Sequence, residues 1–580
     1  MNELKPIYTK KADCQDCYKC VRECPVKAIK IEDNSACIVD ELCIHCGKCV
    51  LVCPSGAKKI RNDVAKVRQA IDMGRNVILS VAPSWRAEFV QLHSSQLISA
   101  IKKLGFSQVS ETAIGAQMVS KGVADLIDSS DNKIFLSTAC PTVVEMMYKY
   151  YPKFVAYFTP LVSPLAAHVK YLASISAPNT QFAFVGPCAA KKIEFDLFNE
   201  NILAALTFEN LHKWFEESNI DPYALDPDSS ETFYPFDSSD GGLYPIDGGM
   251  ISGIKGRLQK QNVEFMCFSG IKAIIAAMGD LDKFSPNRQI FIELLACGGG
   301  CVNGPGMRHK ESTVLKRDNV YSNVVNTIDF DKPLYGINIG AEIQIKPIIS
   351  GVYSEPMIRS ALQRVGKSSL KDELNCGSCG YDSCRDFAVA LLNGKAMENM
   401  CASYMRKLAS KKANALIKAM PAGVVIADSA MRIIECNKHF ASIFGSEIEM
   451  IFEATPGLEG AMLNKIVPFY KLFQKVLVTG EDLVDSEMDY NNHRLNISVF
   501  SIERNQVVGA VIQDIRVPHV RREQVVKRVE EVIKLNLETV QKIAYLLGEN
   551  ASETEIRLNN VLEAFKETAE VDNGVHTENI

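Results

Sequence analysis

No stretch of the 580-residue sequence reaches about 18 uncharged apolar residues, the length a membrane-crossing helix needs. The opening segment, MNELKPIYTKKADC, has no apolar region of the kind a secretory signal carries, so a cytoplasmic location is expected and no membrane partner. An excess of one charge is missing too. Sixty-four Lys and Arg face 69 Asp and Glu, and the net charge of −5 gives no reason to expect nucleic acid as a partner. The sequence has no phosphoryl-transfer kinase motif, so any signalling output has to pass through another protein. What is abundant is cysteine, with 19 residues. Closely spaced cysteines in a chain without a secretory signal read as metal ligands rather than disulfides. The apolar content of 47% is that of ordinary globular protein, and a chain this long divides into about three to five domains.

Sixteen of the cysteines fall into four groups. Two of these are Cys14-x2-Cys17-x2-Cys20-x3-Cys24-Pro25 and Cys43-x2-Cys46-x2-Cys49-x3-Cys53-Pro54. This is the spacing of a bacterial two-cluster ferredoxin. Three cysteines on a tight loop hold three corners of a cubane, and the fourth, placed after a helical turn, reaches the other cluster. One [4Fe–4S] cluster is therefore expected on Cys14, Cys17, Cys20 and Cys53, and a second on Cys43, Cys46, Cys49 and Cys24. Zinc is the competing reading, disfavoured by two copies of the run with proline after the last cysteine. Cys37 lies outside both runs and reads as a packed thiol. Two adjacent clusters serve electron transfer and do not name a substrate.

The third group is dispersed. Cys140, Cys188, Cys297 and Cys301 sit in STACPTVVEMM, GPCAAKKIE and FIELLACGGGCVNGPG, three loops that only a large fold can bring together. The apolar runs VILSVAP (77–83), KIFLSTAC (133–140), QFAFVGPC (181–188), EFMCFSG (264–270) and FIELLAC (291–297) read as strands ending at loops, with amphipathic helices between them. The alternation predicts an α/β sheet with its site at the strand ends. Ala82-Pro83-Ser84, Cys140-Pro141, Pro187-Cys188 and Cys297 stand at four of those ends.

These loops resemble the active-site domain of the [FeFe]-hydrogenases, and the resemblance covers roughly the first 365 residues. It implies that Cys140, Cys188, Cys297 and Cys301 bind the cubane of an H-cluster, with Cys301 bridging to a two-iron centre carrying CO, CN⁻ and azadithiolate ligands. It implies that Lys191 and Ser84 donate hydrogen bonds to cyanide, a charge-assisted contact for the lysine, and that Glu194 partners the lysine. Gly298, Gly299 and Gly300 let the backbone approach a bulky cluster. Without the resemblance, Lys191 and Glu194 at i,i+3 read as a plain surface ion pair. Glu293, Lys191 and the Cys297-x3-Cys301 pair favour the hydrogenase branch over relatives of the fold that assemble iron–sulfur proteins.

The sequence departs from the catalytic pattern beside these ligands. Catalytic members pass protons through a cysteine, two glutamates and a serine. Ala139 stands in place of the cysteine and has no exchangeable proton. The helix expected to supply the glutamates reads AIGAQMVSKGVADLI, without one. Ser163 keeps the serine position. Gly186 and Leu295 stand where the family has methionines, which removes soft sulfur from the site. Proton transfer by a positioned group contributes about 10²–10⁴ in rate, so a chain with the ligands kept and the relay broken is expected to bind H₂ and turn it over slowly.

Beyond this region, Cys376-x2-Cys379-x4-Cys384-x16-Cys401 resembles a small four-cysteine domain holding a further [4Fe–4S] cluster, with zinc as the competing reading. It would offer electrons an exit toward the C-terminus. SYMRKLASKKANALIKAM reads as a helical linker. The stretch MPAGVVIADSAMRIIECNKHFASIFG and the alternating RLNISVFSIERNQVVGAVIQDIR resemble a PAS domain; Cys436 and His439 within it read as structural, with no cofactor. Val525, Val529, Val532, Leu537, Val540, Ile543 and Leu547 recur at helical spacing in the tail, read equally as a packing helix or as a dimer or signalling coiled coil.

The expected architecture is a multidomain α/β chain. It comprises a ferredoxin-like two-cluster domain (1–65), a hydrogenase-like H-cluster domain (75–365), a four-cysteine Fe–S domain (366–405), a PAS-like α+β domain (414–515) and a helical tail (516–580). The expected function is a sensory [FeFe]-hydrogenase that binds or slowly turns over H₂ and relays redox state to the PAS module. Its expected partners are a redox protein such as ferredoxin, a kinase or phosphatase downstream, and a second copy of the chain through the PAS domain and tail. The alternatives are a catalytic ferredoxin-linked hydrogenase and a non-catalytic electron-transfer protein.

Overall fold

The computed structural model describes residues 5–197, 201–308, 311–324, 336–342, 345–348, 351–491 and 493–515. The tail from 516 onward, with its apolar stripe, lies outside the described residues. The chain divides into two compact units: residues 1–363 with 367–397, and residues 364–366 with 398–580.

In the first unit, the N-terminal segment folds around two antiparallel strand pairs, Ile7–Thr9 with Lys58–Ile60 and Ile29–Glu32 with Ser35–Ile38. Each cysteine run wraps into a short helix, Lys19–Glu23 or Lys48–Val52. The residue before each helix is left-handed, Tyr18 at φ 57° and Gly47 at φ 71°. At Gly47 the need for glycine is steric as well, because a Cβ there would lie 2.4 Å from Pro305 Cγ. Cys37 lies half-buried on the Ser35–Ile38 strand.

The five strands expected in the large domain all form, but they divide between two parallel sheets. Four strands run in the order Gln108–Glu111, Val77–Val81, Gln181–Gly186 and Ile202–Thr207. Three run in the order Val263–Ser269, Gln289–Leu295 and Ile134–Leu136. Gln108–Glu111 and Ile202–Thr207 are strands that the apolar-run reading left out. Val77–Val81 and Gln289–Leu295 are buried at every position, as parallel strands covered on both faces must be. The helix Ala113–Ser129 and the helix Pro164–Ile175 cover the first sheet. His168 on the second of these is fully buried, and its ring bridges Ser80 Oγ and Ser110 Oγ at 2.8 Å each, tying two neighbouring strands to the helix.

The second unit contains the helix Ala402–Ala419. Its five-stranded antiparallel sheet has the order Ile433–Cys436, Gly423–Asp428, Val507–Asp514, His493–Glu503 and Leu483–Tyr490. Leu495, Ile497 and Val499 alternate into a core that also contains Phe440 and Phe473, and burying each such side chain contributes roughly 1.5–3 kcal/mol. Asn437 anchors the strand-to-helix turn. Its Oδ1 accepts from Val424 N and Phe440 N, both at 2.9 Å, while Nδ2 donates to Ile417 O and Ala422 O. Cys436 is buried and donates to Gly457 O, whereas His439 is exposed, so the two do not face one site.

Candidate functional site

The quartet forms where the C-terminal ends of both parallel sheets meet. The first sheet supplies Ser84 after Val81 and Cys188 after Gly186; the second supplies Cys140 after Leu136 and the Cys297–Cys301 loop after Leu295. Cys140 precedes the helix Pro141–Tyr150, with proline at its first position. That helix N-terminus favours negative charge on whatever the thiolate binds. The four thiols lie close enough to act on one another: Cys301, Cys188 and Cys140 each push the Cys297 thiol further up, after burial. Burial likewise raises Cys188 to about 11, and Cys301 higher still. A buried thiolate without a cation is costly, and bound iron removes that cost, so the donor set fits an iron–sulfur cluster.

The surroundings fit such a group. Gly300, at φ 98°, packs so tightly that a Cβ would fall 2.3 Å from Pro245 O, while a Cβ on Gly298 would meet nothing within 4 Å. Ser84 Oγ is buried and has no hydrogen-bond partner among the described residues. An orphaned buried hydroxyl costs about 1–3 kcal/mol, which an acceptor on a bound group would offset. Glu293 Oε1 is orphaned in the same way; desolvation holds its carboxyl up at about 7.

Lys191 and Glu194 are not a surface pair. Lys191 Nζ donates to Glu194 Oε2 at 2.6 Å and to Ser163 Oγ at 2.8 Å, and Ser163 in turn donates to Glu194 Oε1. Ser163 also caps the helix Pro164–Ile175 by accepting from Ala166 N. The three residues that the resemblance singled out from two distant loops thus form one closed network, with the Lys191 and Glu194 side chains only 11% and 16% exposed.

Ala139 is half-buried, and its N–H donates to Ser137 Oγ at 3.3 Å. Ser137 Oγ lies 3.3 Å from Met250 Sδ. Met250 is a buried soft side chain that loop wording did not single out; only the fold brings the helix Gly249–Lys255 beside the Cys140 loop. Gly186 leaves no space for a longer side chain, because a Cβ would lie 2.5 Å from Phe184 Cζ and 2.8 Å from Ala82 Cβ. The helix Ala113–Ser129 faces inward with Gln117, bonded to Ser239, and Ser120, bonded to Tyr244.

The ferredoxin-like runs assemble into two sets. Cys24, Cys43, Cys46 and Cys49 line one cavity, walled by Ile7, Ile29, Ile38 and Ile44. Cys14, Cys17 and Cys53 all act on the Cys20 thiol, which burial raises to about 12. Cys46 also acts on Cys297, so the cavity set is the one beside the quartet. Between the two sets lies Lys58, 2% exposed, donating to Thr9 Oγ1 at 2.5 Å and Ala36 O at 2.7 Å. Its ammonium lowers both the Cys20 and the Cys49 thiols against the upward push of burial. Lys58 escaped the sequence reading because an inward-facing lysine among Ala57, Lys59 and Ile60 looks like any other surface cation.

Cys376, Cys379 and Cys384 lie on one loop of the first unit, with Cys384 opening the helix Cys384–Leu392. Cys401 belongs to the second unit, buried ahead of the helix Ala402–Ala419.

These donor sets, on two parallel sheets and a pair of wrapped loops, define an iron–sulfur protein with a large α/β domain. Family models place it further. Residues 13–57 match the 4Fe-4S dicluster domain, residues 75–305 the iron only hydrogenase large subunit, C-terminal domain, residues 372–403 an Fe–S cluster family, and residues 412–472 the PAS domain. Iron hydrogenase 1 of Clostridium pasteurianum is 24% identical, over 42% of this chain and 52% of its own length. The chain therefore spans about half the length of that curated relative. Among solved structures, an [FeFe]-hydrogenase from Chlamydomonas reinhardtii is 17% identical, with a TM-score of 0.34 over 48% of this chain and 90% of that one. A PAS domain from Haloarcula marismortui is also 17% identical, with a TM-score of 0.14 over 20% of this chain and 97% of that one. Among the described residues, no helix is long and apolar enough to cross a membrane.

Proposed function

We propose that the chain is a sensory [FeFe]-hydrogenase that binds H₂, or turns it over slowly, and reports redox state through iron–sulfur clusters to its PAS domain. The observation that carries this reading is the contrast within one site. All four thiols, Ser84 and the Lys191–Ser163–Glu194 network are in place, yet the residue before Cys140 is Ala139, which can neither give nor take a proton.

An H-cluster held by Cys140, Cys188, Cys297 and Cys301 supplies the chemistry H₂ = 2 H⁺ + 2 e⁻ when bound. The residues around it hold charge and exclude water. Lys191 presents an ammonium to the site while Glu194 and Ser163 keep it oriented. Ser84 offers a hydroxyl free to donate to an anionic ligand. Ala139 leaves the position before Cys140 without a thiol to exchange protons. The two N-terminal [4Fe–4S] sites, on Cys14, Cys17, Cys20 and Cys53 and on Cys43, Cys46, Cys49 and Cys24, carry electrons, and Cys376, Cys379, Cys384 and Cys401 are the ligands assigned to a further one. The domain limits 1–65, 75–365, 366–405, 414–515 and 516–580 belong to this reading. So do a cytoplasmic setting, a ferredoxin-type redox partner, a downstream kinase or phosphatase, and self-association through the PAS domain and tail.

A catalytic ferredoxin-linked hydrogenase is the second reading, favoured by the closed Lys191–Ser163–Glu194 network. Infrared spectroscopy and H₂ turnover on the chain matured with the two-iron centre separate the two. The sensory reading expects CO and CN⁻ bands that respond to H₂, with turnover at least about 10²-fold below a catalytic enzyme. Bands with full turnover would sink it in favour of the second reading, and absence of the bands would sink both.

A further inference from the structure

The geometry points to an electron junction between the loop carrying Cys376, Cys379 and Cys384 and the helix Lys19–Glu23. By this inference the third cluster exchanges electrons with the N-terminal pair, and not directly with the Cys140–Cys301 quartet. It rests on the reading of Cys376, Cys379 and Cys384 as cluster ligands.

The contact is made by backbone and has no room to spare. Gly380, directly after Cys379, is left-handed at φ 94°, and a Cβ on it would lie 2.8 Å from Val21 Cγ1 and 3.1 Å from Arg22 N. Arg22 Nη1 donates to Cys17 O at 3.2 Å and to Ser378 O at 3.5 Å, so one guanidinium clamps the first N-terminal loop to the third. Lys27 faces Asp382 at 4.0 Å on the exposed rim, where a pair adds little energy but restricts orientation. Tyr381 is buried at the same contact. Its ring packs against Phe387 on the helix that Cys384 opens, with centroids 5.8 Å apart. Its hydroxyl has no hydrogen-bond partner among the described residues.

The helix Lys19–Glu23 is the segment shared by the two N-terminal sites. Cys17 and Cys20 belong to one, Cys24 to the other. A loop seated on it reaches both, while on the far run Cys46 packs with Cys140 of the quartet against one apolar cluster, and Lys149 Nζ, from the helix that follows Cys140, donates to Cys43 O at 2.7 Å. The order in space is thus quartet, N-terminal pair, third loop, although in sequence the third loop follows the quartet. Each transfer moves one electron: the donor cluster loses it and the acceptor gains it, and the two electrons of one H₂ cross singly while its two protons leave at the quartet.

The test uses the full chain reconstituted with iron and sulfide, without the two-iron centre, and reduced with dithionite. Electron paramagnetic resonance then reads magnetic coupling between clusters. The expected result is a third-cluster signal broadened and fast-relaxing through its neighbours. Cys379→Ser should remove both that signal and its share of the broadening in the N-terminal signals. Gly380→Leu, which forces the loop off Val21, should keep the iron content and lose the broadening. If Gly380→Leu does not retain its iron, Gly380→Ala takes its place with a smaller loss expected. A wild-type spectrum that is a simple sum of isolated clusters overturns the inference. So does broadening that survives unchanged in an iron-replete Gly380 variant. The measurement needs neither H₂ nor CO and CN⁻ bands, so its failure is distinct from failure of the hydrogenase reading.

Discussion

Lys191 Nζ stands 2.8 Å from Ser163 Oγ, joining two segments 28 residues apart, and both side chains share Glu194. Removing the cation from this mostly buried network leaves the Glu194 carboxylate with Ser163 but without its counter-charge, at a cost of up to about 3–5 kcal/mol. Lys191→Met should therefore lower the melting temperature of the large domain. The double variant Lys191→Met with Glu194→Gln should recover much of the loss. Thermal unfolding followed by circular dichroism reads both; a single variant as stable as wild type would show the network to be energetically idle.

Ala139→Cys restores an exchangeable proton beside Cys140. H₂ turnover should rise, by up to about 10²–10⁴-fold if this position limits the relay. The infrared bands should keep their number. Unchanged turnover in a chain with intact bands would mean that the helix Ala113–Ser129, with Gln117 and Ser120 inward, sets the limit instead.

Lys58 places a buried ammonium between two sets of cluster thiols. A positive charge favours the more negative, reduced cluster. Lys58→Met should shift the potentials of both N-terminal clusters downward and leave that of the third cluster in place. A redox titration followed by electron paramagnetic resonance decides it, and equal shifts in all three would point to a global change of fold.

Burial lowers the His168 imidazole from 6.5 to about 3. Below the unfolded value of about 6.5, the unfolded chain binds a proton that the folded chain refuses. Stability is thus full above that pH and is lost progressively as pH falls toward about 3, by a few kcal/mol at roughly 1.4 kcal/mol per unit. His168→Gln keeps a donor and an acceptor for Ser80 and Ser110 and removes the titration. Its unfolding midpoint should vary less than that of wild type between about pH 6.5 and 4. Parallel curves would assign the acid sensitivity elsewhere.

Where chemistry is local, the sequence was readable. The spacing Cys43-x2-Cys46-x2-Cys49 dictates a tight loop, and in the structure Cys24 lines the same cavity as those three thiols. The alternation in RLNISVF carried the PAS sheet because one face is wet. The parallel strands were harder. Val77–Val81 is buried on both faces, so its pattern holds no information about its neighbours, and the division into two sheets was not legible. The strand Gln108–Glu111 carries one apolar residue in four, so no apolar run marks it.

The sequence by itself determined the donors: which thiols are spaced for clusters, and that Ala139 carries no exchangeable proton. Those properties depend on residues within a few positions of one another. Only the tertiary structure decided which donors share a site. It closed Lys191, Ser163 and Glu194 into one network, left Ser84 Oγ buried without a partner among the described residues, set Lys58 between two groups of thiols, and seated Gly380 on Val21. Each of these rests on burial and on contacts between distant segments, which exist only once both sheets have packed.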